Sequence, residues 1–158
     1  MMSYNPDTGI FTRLIAPGKR SDLISKDAGC PQNQGYILIA VDNKKYKAHR
    51  LAWLYAYGDF PSKFIDHINN IKSDNRICNL REATKSQNLQ NIPVRNNNTS
   101  GITGVYWNKA AKKWQAYIKL NGKVNYLGIF PELQSAITAR KDAEKLFFKQ
   151  FQYEKKVA

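Results

Sequence analysis

Cysteine, histidine and acidic residues are all scarce in this sequence. Its 158 residues include two Cys and two His, and 12 Asp plus Glu stand against 25 Lys plus Arg. Cys30 and Cys78 form no Cys-x-x-Cys pair, so the sequence lacks the paired ligand spacing that a structural zinc site needs. Two unpaired Cys are typical of proteins of the reducing cytoplasm, where we expect this protein to reside.

Long apolar runs are missing as well. No run approaches the length that spans a membrane, and the N-terminus lacks the apolar segment of a signal peptide. We therefore predict no membrane partner. Hydrophobic residues still make up 42% of the chain, with nine Tyr, seven Phe and three Trp, so a folded protein is expected rather than a disordered one.

Positive charge is the strongest feature of the composition. The formal net charge at pH 7 is +13. A polyanionic partner explains this excess, and nucleic acid is the partner that we expect. An inert basic surface is the alternative interpretation.

The most informative stretch of the chain is residues 64 to 91, where short apolar runs alternate with polar ones. The first apolar run ends in Asp66 and His67. A loop rich in Asn, Asp, Ser and Lys follows, and a second short apolar run begins at Asn79. This pattern predicts two strands joined by a loop, with Asp66 and His67 at the end of the first strand.

A helix is predicted directly after the second of these strands. Thr84, with Gln87 three residues later, fits a capping box, in which each side chain bonds an orphan backbone N–H group. Pro93 stops this helix, because the residue before a proline is biased away from helical geometry. Asn88 then lies about one turn into the helix, where we expect its side chain to point back toward Asp66 and His67.

The order Asp-His, then Asn-Leu-Arg, then an Asn on the next helix resembles the HNH nuclease motif. It is most similar to the motif of the phage-type HNH homing endonucleases, and the likeness covers most of residues 36 to 92, including His49 and the helix after it. The resemblance implies an α+β fold, with N-terminal β-hairpins and a ββα-metal nuclease core. It also implies an enzyme, a DNA endonuclease that hydrolyses phosphodiester bonds in duplex DNA. One active site per chain implies nicking by a monomer or weak dimer, in the cytoplasm of a phage-infected bacterium.

The resemblance also assigns roles to individual residues. His67 is the expected general base, and Asn79 is expected to hold its ring in orientation through a hydrogen bond. Asp66 and Asn88 are the expected metal ligands, with Asn91 as a rival for Asn88. Carboxylate and amide oxygens are hard donors, which suit Mg²⁺ or Mn²⁺ rather than zinc. No small-molecule cofactor is expected.

Other polar residues near the motif have simpler interpretations. The spacing of Leu51, Leu54 and Tyr55, with Gly58 after them, predicts a helix from His49 to Tyr57. His49, at the start of this helix, is expected to support the fold rather than the metal. The Asn and Asp residues between positions 69 and 75 are expected to form turns. Lys72 and Arg76 are candidates for contacts with phosphate.

Residues 94 to 100 form a polar linker with three consecutive Asn, and they divide the chain into a nuclease domain, 1 to 93, and a second domain, 101 to 158. In the second domain, the alternation over residues 113 to 120 predicts a strand, Asn121-Gly122 predicts a hairpin turn, and a helix is predicted from Pro131 to about Phe148. The expected fold is a small three-stranded antiparallel sheet packed on one helix.

This second domain resembles the Apetala-type DNA-binding domain of the plant ethylene-response factors, over residues 101 to 148. The resemblance is carried by Gly104-Val105, Trp114, Tyr126-Leu127-Gly128 and Phe130. It implies that polar residues of the sheet and its turns contact duplex DNA. The positions that the resemblance assigns to DNA contact are Tyr106, Asn108, Tyr117, Lys119 and Tyr126. Gln115 and Lys123 belong to the same predicted exposed face and are expected to contact DNA as well. Lys109, Lys112 and Lys113 are expected to contact phosphates. The plant domain uses several Arg at such positions, whereas the predicted strands of this chain have none.

Two other functions are compatible with the sequence. A non-catalytic DNA-binding regulator built on a decayed HNH core is one, although Asp66, His67, Asn79 and Asn88 are all retained. An RNA-binding or RNA-cutting protein is the other, because attraction to phosphate does not distinguish RNA from DNA.

Overall fold

The computed structural model describes residues 1 to 15, 21 to 94 and 96 to 151, and the chain forms two compact units, Met1–Thr84 and Lys85–Ala158. The division therefore falls just in front of the helix that follows the Asn-Leu-Arg strand. From the sequence we placed the end of the nuclease domain at residue 93, and the functional identity of each unit stays a prediction.

The first unit consists of short antiparallel hairpins around one helix. In chain order its elements are β1 (Met2–Asn5), β2 (Ile10–Arg13), β3 (Cys30–Pro31), β4 (Ile37–Val41), β5 (Lys44–Lys47), α1 (Ala48–Tyr57), β6 (Phe64–His67) and β7 (Leu80–Ala83). Short 3₁₀ turns precede β3 and β7, at Ser21–Leu23 and Ile77–Asn79. The strands pair as β1 with β2, β3 with β4, β4 with β5, and β6 with β7, all antiparallel.

Two details of this unit differ from the sequence predictions. The polar run Asp42-Asn43-Lys44-Lys45 predicts a turn of four residues, but the β4–β5 turn consists only of Asp42 and Asn43, whose φ angles are 47° and 61°. Two residues with positive φ form a turn whose twist matches that of the strands, so Lys44 can pair at once with Val41. The weak periodicity of residues 14 to 34 predicts a loop, but Cys30 and Pro31 form strand β3, and residues 16 to 20 lie outside the described residues.

The core of the first unit joins the hairpins to α1. Ile39 of β4 and Ala52 of α1 are fully buried, and Phe11 of β2 and Ile65 of β6 pack into the same cluster. Helix α1 ends at Tyr57 because Gly58 adopts a left-handed conformation, with φ of 84°, and its N–H bonds the carbonyl of Leu54. The predicted helix from His49 to Tyr57 is thus confirmed.

The N-terminal hairpin supports the long loop between β6 and β7. The Tyr4 hydroxyl donates to the carbonyl oxygen of Asn75 over 2.8 Å, and the N–H of Ile77 donates to the carbonyl of Pro6 over 3.1 Å. Gly9, with φ of +74°, packs so closely on this loop that a Cβ there would lie 2.4 Å from the backbone nitrogen of Arg76. The hairpin therefore fixes the backbone of the loop next to the candidate site.

The second unit places one three-stranded sheet on one long helix. Its elements are α2 (Lys85–Gln90), β8 (Val105–Asn108), β9 (Lys113–Leu120), β10 (Lys123–Phe130) and α3 (Leu133–Phe148). The sheet is antiparallel with β9 in the centre, and β9 and β10 are joined by Asn121 and Gly122, with φ angles of 48° and 84°. The predicted sheet, turn and helix are all present.

The inner face of this sheet packs on α3. Ala116 and Ile118 of β9 and Ala136 of α3 have no exposed surface, and Trp114 packs at the margin of the same core. Arg140 of α3 is also buried, and its Nε donates to the carbonyl of Thr103 over 2.7 Å. Small residues on α3 let the helix lie close to the strands, as the alanine spacing predicted.

The end of the predicted linker is held by hydrogen bonds from its own side chains. The Ser100 hydroxyl is within 2.7 Å of the carbonyl of Val105 and 2.9 Å of the side-chain oxygen of Asn98. Asn98 in turn donates to the carbonyl of Ile102 over 3.1 Å. These side chains satisfy backbone groups that a free linker would leave to water, so this segment is part of the second unit.

The described residues thus form a mixed α and β protein with small antiparallel sheets and few helices, in agreement with the predicted α+β class. Within the described residues, no helix is both long and apolar enough to cross a membrane.

Candidate active site

Strand β6 carries the two central residues of the candidate site. Asp66 and His67 are its last residues, and they pair across the ladder with Arg81 and Leu80 of β7. Asp66 is 4% exposed and His67 is 5% exposed. The predicted strand, loop, strand and helix order of this stretch is confirmed, with β6, β7 and α2 in that order.

Arg81 is a site residue to which the sequence analysis gave no role. It lies directly opposite Asp66, and its Nη2 and Nε atoms are 2.7 and 2.8 Å from the Oδ2 atom of that carboxylate. Both side chains are largely removed from water, at 15% and 5% exposed. Such a cross-strand ion pair fixes the rotamer of Asp66 and offsets the cost of burying its charge. The contact between Arg81 and Asp66 follows from the register of β6 and β7, which the local sequence pattern does not reveal.

His67 is held in its neutral form by its surroundings. Burial lowers the pKa of its ring below the usual value for histidine. The neighbouring Asn75 side chain and the carboxylates of Asp66 and Asp74 favour the protonated ring and oppose this effect, whereas the charge of Lys72 adds to it. A neutral imidazole at physiological pH is the form that accepts a proton.

The His67 ring belongs to a cluster with His49 and Tyr36. The His49 and His67 rings meet edge to face with centroids 5.0 Å apart, and the Tyr36 ring lies 5.4 Å from His49 and 6.0 Å from His67. Burial and the His67 ring lower the pKa of His49 to about 3. His49 therefore packs beside the candidate base as a neutral ring, which agrees with its predicted role in supporting the fold.

Two lysines converge on the Tyr36 ring of this cluster. The Nζ atom of Lys47 is 4.1 Å from the ring centroid, and that of Lys72 is 5.0 Å away. Lys72 also donates to the carbonyl of Gln34 over 3.0 Å. A cation over an aromatic face is attracted by the ring quadrupole, so Tyr36 holds both charges at the edge of the cluster.

Asn79 bonds the backbone of the β6–β7 loop with its side chain. Its Oδ1 accepts from the N–H of Asn69 over 3.0 Å, and its Nδ2 donates to the carbonyl of Asp74 over 2.9 Å. Its own carbonyl accepts from the N–H of Ile68. These bonds brace the loop directly after His67, so any contribution of Asn79 to the orientation of the ring acts through the loop.

Asn75 is a second residue whose role the sequence analysis missed. We expected it to be a turn former, but it is 3% exposed and its side chain interacts with His67. Its Nδ2 donates to the carbonyl of Ser73 over 3.1 Å. Nothing in the local sequence distinguishes this Asn from its exposed neighbours, because its burial depends on the N-terminal hairpin.

Arg76 and Asp74 form an exposed ion pair on the same loop. The Arg76 guanidinium bonds both oxygens of Asp74, at 2.8 and 2.6 Å, and holds the pKa of this carboxyl at about 2. The Arg76 side chain is 46% exposed. With Asp74 as its partner, Arg76 offers less free charge to a phosphate than the sequence suggested.

Asn88 and its rival Asn91 belong to the second unit. Asn88 is on α2 and is half-buried, whereas Asn91 directly follows the helix and is buried. Their predicted role as metal ligands therefore stays a prediction from the resemblance.

Asp66 has the donor chemistry that a divalent cation requires. Its carboxylate is a hard oxygen ligand, and Arg81 fixes its position before any ion binds. Across the described part of the chain, no three His, Cys, Asp or Glu side chains come together as a metal cluster. One carboxylate is a donor of the kind that Mg²⁺ accepts beside its waters, so the chemistry of Asp66 is compatible with the predicted ion.

The outer face of the second sheet gathers most of the predicted DNA contacts. The register places Tyr106 opposite Gln115, Asn108 opposite Lys113, and Tyr126 opposite Tyr117. Along each strand these residues alternate with residues whose side chains lie on the inner face of the sheet. Tyr106 is 42% exposed and Tyr126 is 55% exposed, so both rings are accessible on this face.

The predicted lysines surround this face. Lys109 and Lys112 lie in the β8–β9 turn, and Lys119 is exposed near the end of β9. Lys123 is exposed too, but it pairs with Leu120, so its register is that of the inner face. The outer face is therefore a polar and aromatic surface bordered by positive charge.

Comparisons with known proteins found a family model that matches this part of the chain, and a relative. The model of the HNH endonuclease family matches residues 46–90, a range that contains Asp66, His67, Asn79 and Asn88. Over 82 residues the chain is 34% identical to Protein 3.8 of Escherichia phage T7, and the alignment covers 49% of this chain and 68% of the phage protein. No solved structure matches the chain. The chain therefore belongs to the HNH endonuclease family.

Proposed function

We propose that this protein is a metal-dependent DNA endonuclease that hydrolyses phosphodiester bonds in duplex DNA by nicking. The observation that carries the proposal is His67, a buried and neutral imidazole beside a carboxylate that Arg81 holds in place. This pair lies inside the range matched by the HNH endonuclease family.

The chemistry that we assign to His67 is the activation of water. A ring nitrogen of His67 takes a proton from a water molecule, and the water oxygen attacks the phosphorus atom of the scissile phosphate. The bond between phosphorus and the 3′ oxygen breaks, and the leaving oxygen departs with the electron pair and takes a proton from solvent. The products are a 5′ phosphate and a 3′ hydroxyl.

Lys47 and Lys72 are placed to hold the phosphate near this base. Both ammonium groups lie over the ring of Tyr36, which itself contacts His67. Two cations at one edge of a buried histidine favour an anion there, and a backbone phosphate is the anion that a nuclease brings.

Asp66 is the proposed metal ligand of the first unit, with Mg²⁺ or Mn²⁺ as the ion. When bound, such an ion supplies charge neutralisation for the phosphate and for the leaving oxygen. Asp66 contributes one fixed carboxylate, and Arg81 keeps that carboxylate in position while the site is empty of substrate. Asn88 is the second ligand predicted from the sequence, with Asn91 as its rival.

The second unit is the proposed DNA-binding module. Its outer sheet face combines exposed Tyr106 and Tyr126 with the polar side chains of β9, and lysines border it. A sheet of this kind can lie in the major groove, while the lysines contact phosphates. The likeness to a protein of phage T7 supports a phage enzyme, and a homing role remains a prediction from the sequence.

A plasmid-nicking assay tests the catalytic proposal. Wild-type protein and the His67→Ala variant are incubated with supercoiled plasmid in Mg²⁺, in Mn²⁺ and in EDTA. We expect metal-dependent relaxation by the wild type and a loss of about 100-fold or more in the variant, the usual contribution of a general base. Equal cleavage by the two proteins would show that His67 is not the base.

The nicking assay, together with measurements of nucleic-acid binding, separates the proposal from its main alternatives. Tight duplex binding by a wild type that leaves both plasmid and its selected target uncut would favour a regulator on a decayed core. Stronger binding to structured RNA than to duplex DNA at matched salt would favour an RNA-directed protein.

A further inference from the structure

We propose that Gln115 is the residue of the second unit that reads DNA sequence, by donating from its side-chain amide to the major-groove edge of a guanine. This inference rests on the proposed DNA-binding role of the outer sheet face. It assigns base recognition to one amide and leaves affinity to the lysines around it.

Two hydrogen bonds determine which way this amide points. The backbone N–H of Ala111 donates to the Oδ1 atom of Asn108 over 3.0 Å. The other end of the same amide, Nδ2, donates to the Oε1 atom of Gln115 over 2.8 Å. A backbone N–H can only donate, so the atom of Asn108 that it meets is the oxygen. The nitrogen of Asn108 must then face an acceptor, which fixes the oxygen of Gln115 as its partner.

Asn108 therefore presets Gln115 before any ligand arrives. With Oε1 bonded to Asn108, the Nε2 group of Gln115 keeps both of its hydrogens for a partner outside the protein. A side chain held in this way loses less rotamer freedom on binding than a free glutamine does. Because the bonded orientation turns the donor group away from Asn108, Gln115 is set to recognise an acceptor.

The position of Gln115 suits contact with a base. It lies in the central strand of the sheet, opposite Tyr106 on β8 and Ile129 on β10. Tyr106 and Ile129 are 42% and 43% exposed, so apolar surface borders the amide on both sides. Along β9 the neighbours on the same face are Lys113 and Tyr117. A donor between exposed apolar groups is partly shielded from water, which strengthens its bond to a correctly placed acceptor.

The arrangement of charge around Gln115 matches the proposed occupant, the major groove of duplex DNA. Lys109 and Lys112 in the β8–β9 turn, Lys113 at the start of β9 and Lys119 near its end border the same face. Phosphates flank a major groove on both sides, so cations at the border and an amide at the centre match the arrangement of a groove.

The donors of Gln115 select among base edges. In the major groove guanine presents two acceptors, N7 and O6, whereas cytosine presents the donor group at N4. Two hydrogens on one nitrogen can satisfy both acceptors of guanine and would oppose the donor of cytosine. Adenine and thymine each offer one acceptor only, and the usual pairing of glutamine with adenine also needs the Oε1 atom, which Asn108 already bonds. We therefore expect one position of the bound sequence at which guanine is preferred because of Gln115.

Selection from a pool of randomised duplex DNA tests this inference. The full chain carrying His67→Ala is used, so that bound DNA is not cut, and it is compared with the same protein carrying Gln115→Ala. We expect an enriched sequence with one guanine whose preference falls by about tenfold in the Gln115→Ala protein, while other positions are unchanged. Gln134→Ala makes the same chemical change at an exposed position on α3 and serves as the control.

Chemical substitution of the selected guanine localises the contact. 7-Deazaguanine lacks the N7 acceptor, and we expect it to weaken binding by the parent protein while it leaves the already weakened Gln115→Ala protein unaffected. Gln115→Glu has nearly the same size but presents acceptors, and we expect it to move the preference at that position from guanine toward cytosine. This second variant also guards against a loss of folding in Gln115→Ala.

Asn108→Asp tests the presetting of Gln115. Aspartate still accepts from the N–H of Ala111 but has no donor for the Oε1 atom of Gln115, so the amide is free to turn its Nε2 donor toward this carboxylate and away from the DNA. We expect the guanine preference to fall, measured as a ratio of affinities so that the added negative charge cancels.

Three outcomes would overturn the inference. An unchanged preference in Gln115→Ala would show that another group reads the sequence. Duplex binding by the parent protein without any sequence preference would show that no residue reads the sequence, and it would leave the proposed DNA binding standing. No duplex binding, or stronger binding to structured RNA at matched salt, would overturn the DNA-binding proposal together with this inference.

Discussion

Arg81 and Asp66 face each other across the β6–β7 ladder, with the Nη2 atom of Arg81 2.7 Å from the Oδ2 atom of Asp66. The arginine is the positive partner of a carboxylate that is only 4% exposed. The ion pair holds this carboxylate in one position on the ladder. The strand pairing therefore fixes the side chain that we propose as a metal ligand.

Removal of Arg81 should weaken both the fold and the activity. We expect Arg81→Ala to lower the free energy of unfolding by about 3 kcal/mol, because a buried carboxylate loses its cation. Nicking should then require more Mg²⁺, since Asp66 is no longer held in position. Urea unfolding and the metal dependence of nicking measure the two effects.

Arg76→Ala is the matched control for this change. Arg76 also pairs with an aspartate, Asp74, at 2.6 Å, but its side chain is 46% exposed. An exposed ion pair contributes little because water screens its charges, so Arg76→Ala should lose far less stability than Arg81→Ala. If Arg81→Ala and Arg76→Ala lowered the free energy of unfolding by similar amounts, burial would not make the Asp66–Arg81 pair more stabilising than the exposed pair.

The stability of the first unit should fall in acid because of its buried histidines. The pKa of His49 is lowered to about 3 in the folded state from 6.5, so the unfolded chain binds a proton more readily. Its contribution to stability is present above pH 6.5 and is lost as the pH falls below that value. Near pH 5 the loss from His49 is on the order of 2 kcal/mol.

Urea unfolding at pH 7 and pH 5 measures this loss. His67 has the same direction of shift and adds to the slope. His49→Phe keeps a ring beside Tyr36 and His67 but cannot be protonated, and we expect its stability to depend less on pH. The double variant His49→Phe, His67→Phe has no histidine left, since the sequence contains only two, and should show the smallest slope. An unchanged slope in His49→Phe would contradict the lowered pKa.

Local patterns in the sequence predicted the elements of the fold. Strand β6 and helix α1 follow from apolar spacing and end signals, and the Asn121-Gly122 turn follows from the preference of these residues for positive φ. Each of these signals lies within a few neighbouring residues. For the same reason the Asp66 and His67 pair was correctly placed at the end of a strand.

The parts of the site that the sequence did not predict depend on distant pairs. Arg81 meets Asp66 through the register of two strands, and Tyr36 meets His67 through the packing of separate hairpins. Asn75 is buried because the N-terminal hairpin packs on its loop. No local pattern encodes these contacts, because each needs the position of an element far away in the chain.

Gly9 should be intolerant of any side chain. Its φ is +74°, and a Cβ there would lie 2.4 Å from the backbone nitrogen of Arg76 and 2.6 Å from the carbonyl carbon of Asn75. We expect Gly9→Ala to destabilise the first unit by about 2 kcal/mol or more, from strain and from displacement of the loop. Nicking should slow as well, because the displaced loop carries Asn75 away from His67.

Gly58→Ala separates strain from displacement. Gly58 has φ of +84° at the end of α1, but a Cβ there would have nothing within 4 Å. This variant should therefore lose only about 1 kcal/mol, from the backbone conformation, and should nick at the wild-type rate. If Gly9→Ala lost no more stability than Gly58→Ala, the close contact of the N-terminal hairpin with the β6–β7 loop would not contribute to the stability of the first unit.

Lys72 and Lys47 should contribute to phosphate binding through their positions over Tyr36. The two Nζ atoms lie 5.0 and 4.1 Å from the ring centroid. We expect Lys72→Gln and Lys47→Gln each to lower kcat/KM for nicking, and each to reduce the salt dependence of DNA binding by about one unit of slope. Nicking rates and binding constants over a series of salt concentrations measure both effects.

Lys44→Gln is the matched control for the two lysine variants. Lys44 is on β5, the same strand as Lys47, but it is exposed at the turn end of the strand. The Lys44→Gln variant loses the same charge as the Lys47→Gln and Lys72→Gln variants. A general effect of net charge on DNA affinity would therefore appear equally in all three. Because the site needs its cations beside His67, we expect kcat/KM to fall in the Lys47 and Lys72 variants well below its value in Lys44→Gln. Equal losses in the three variants would mean that Tyr36 does not direct its lysines to the scissile phosphate.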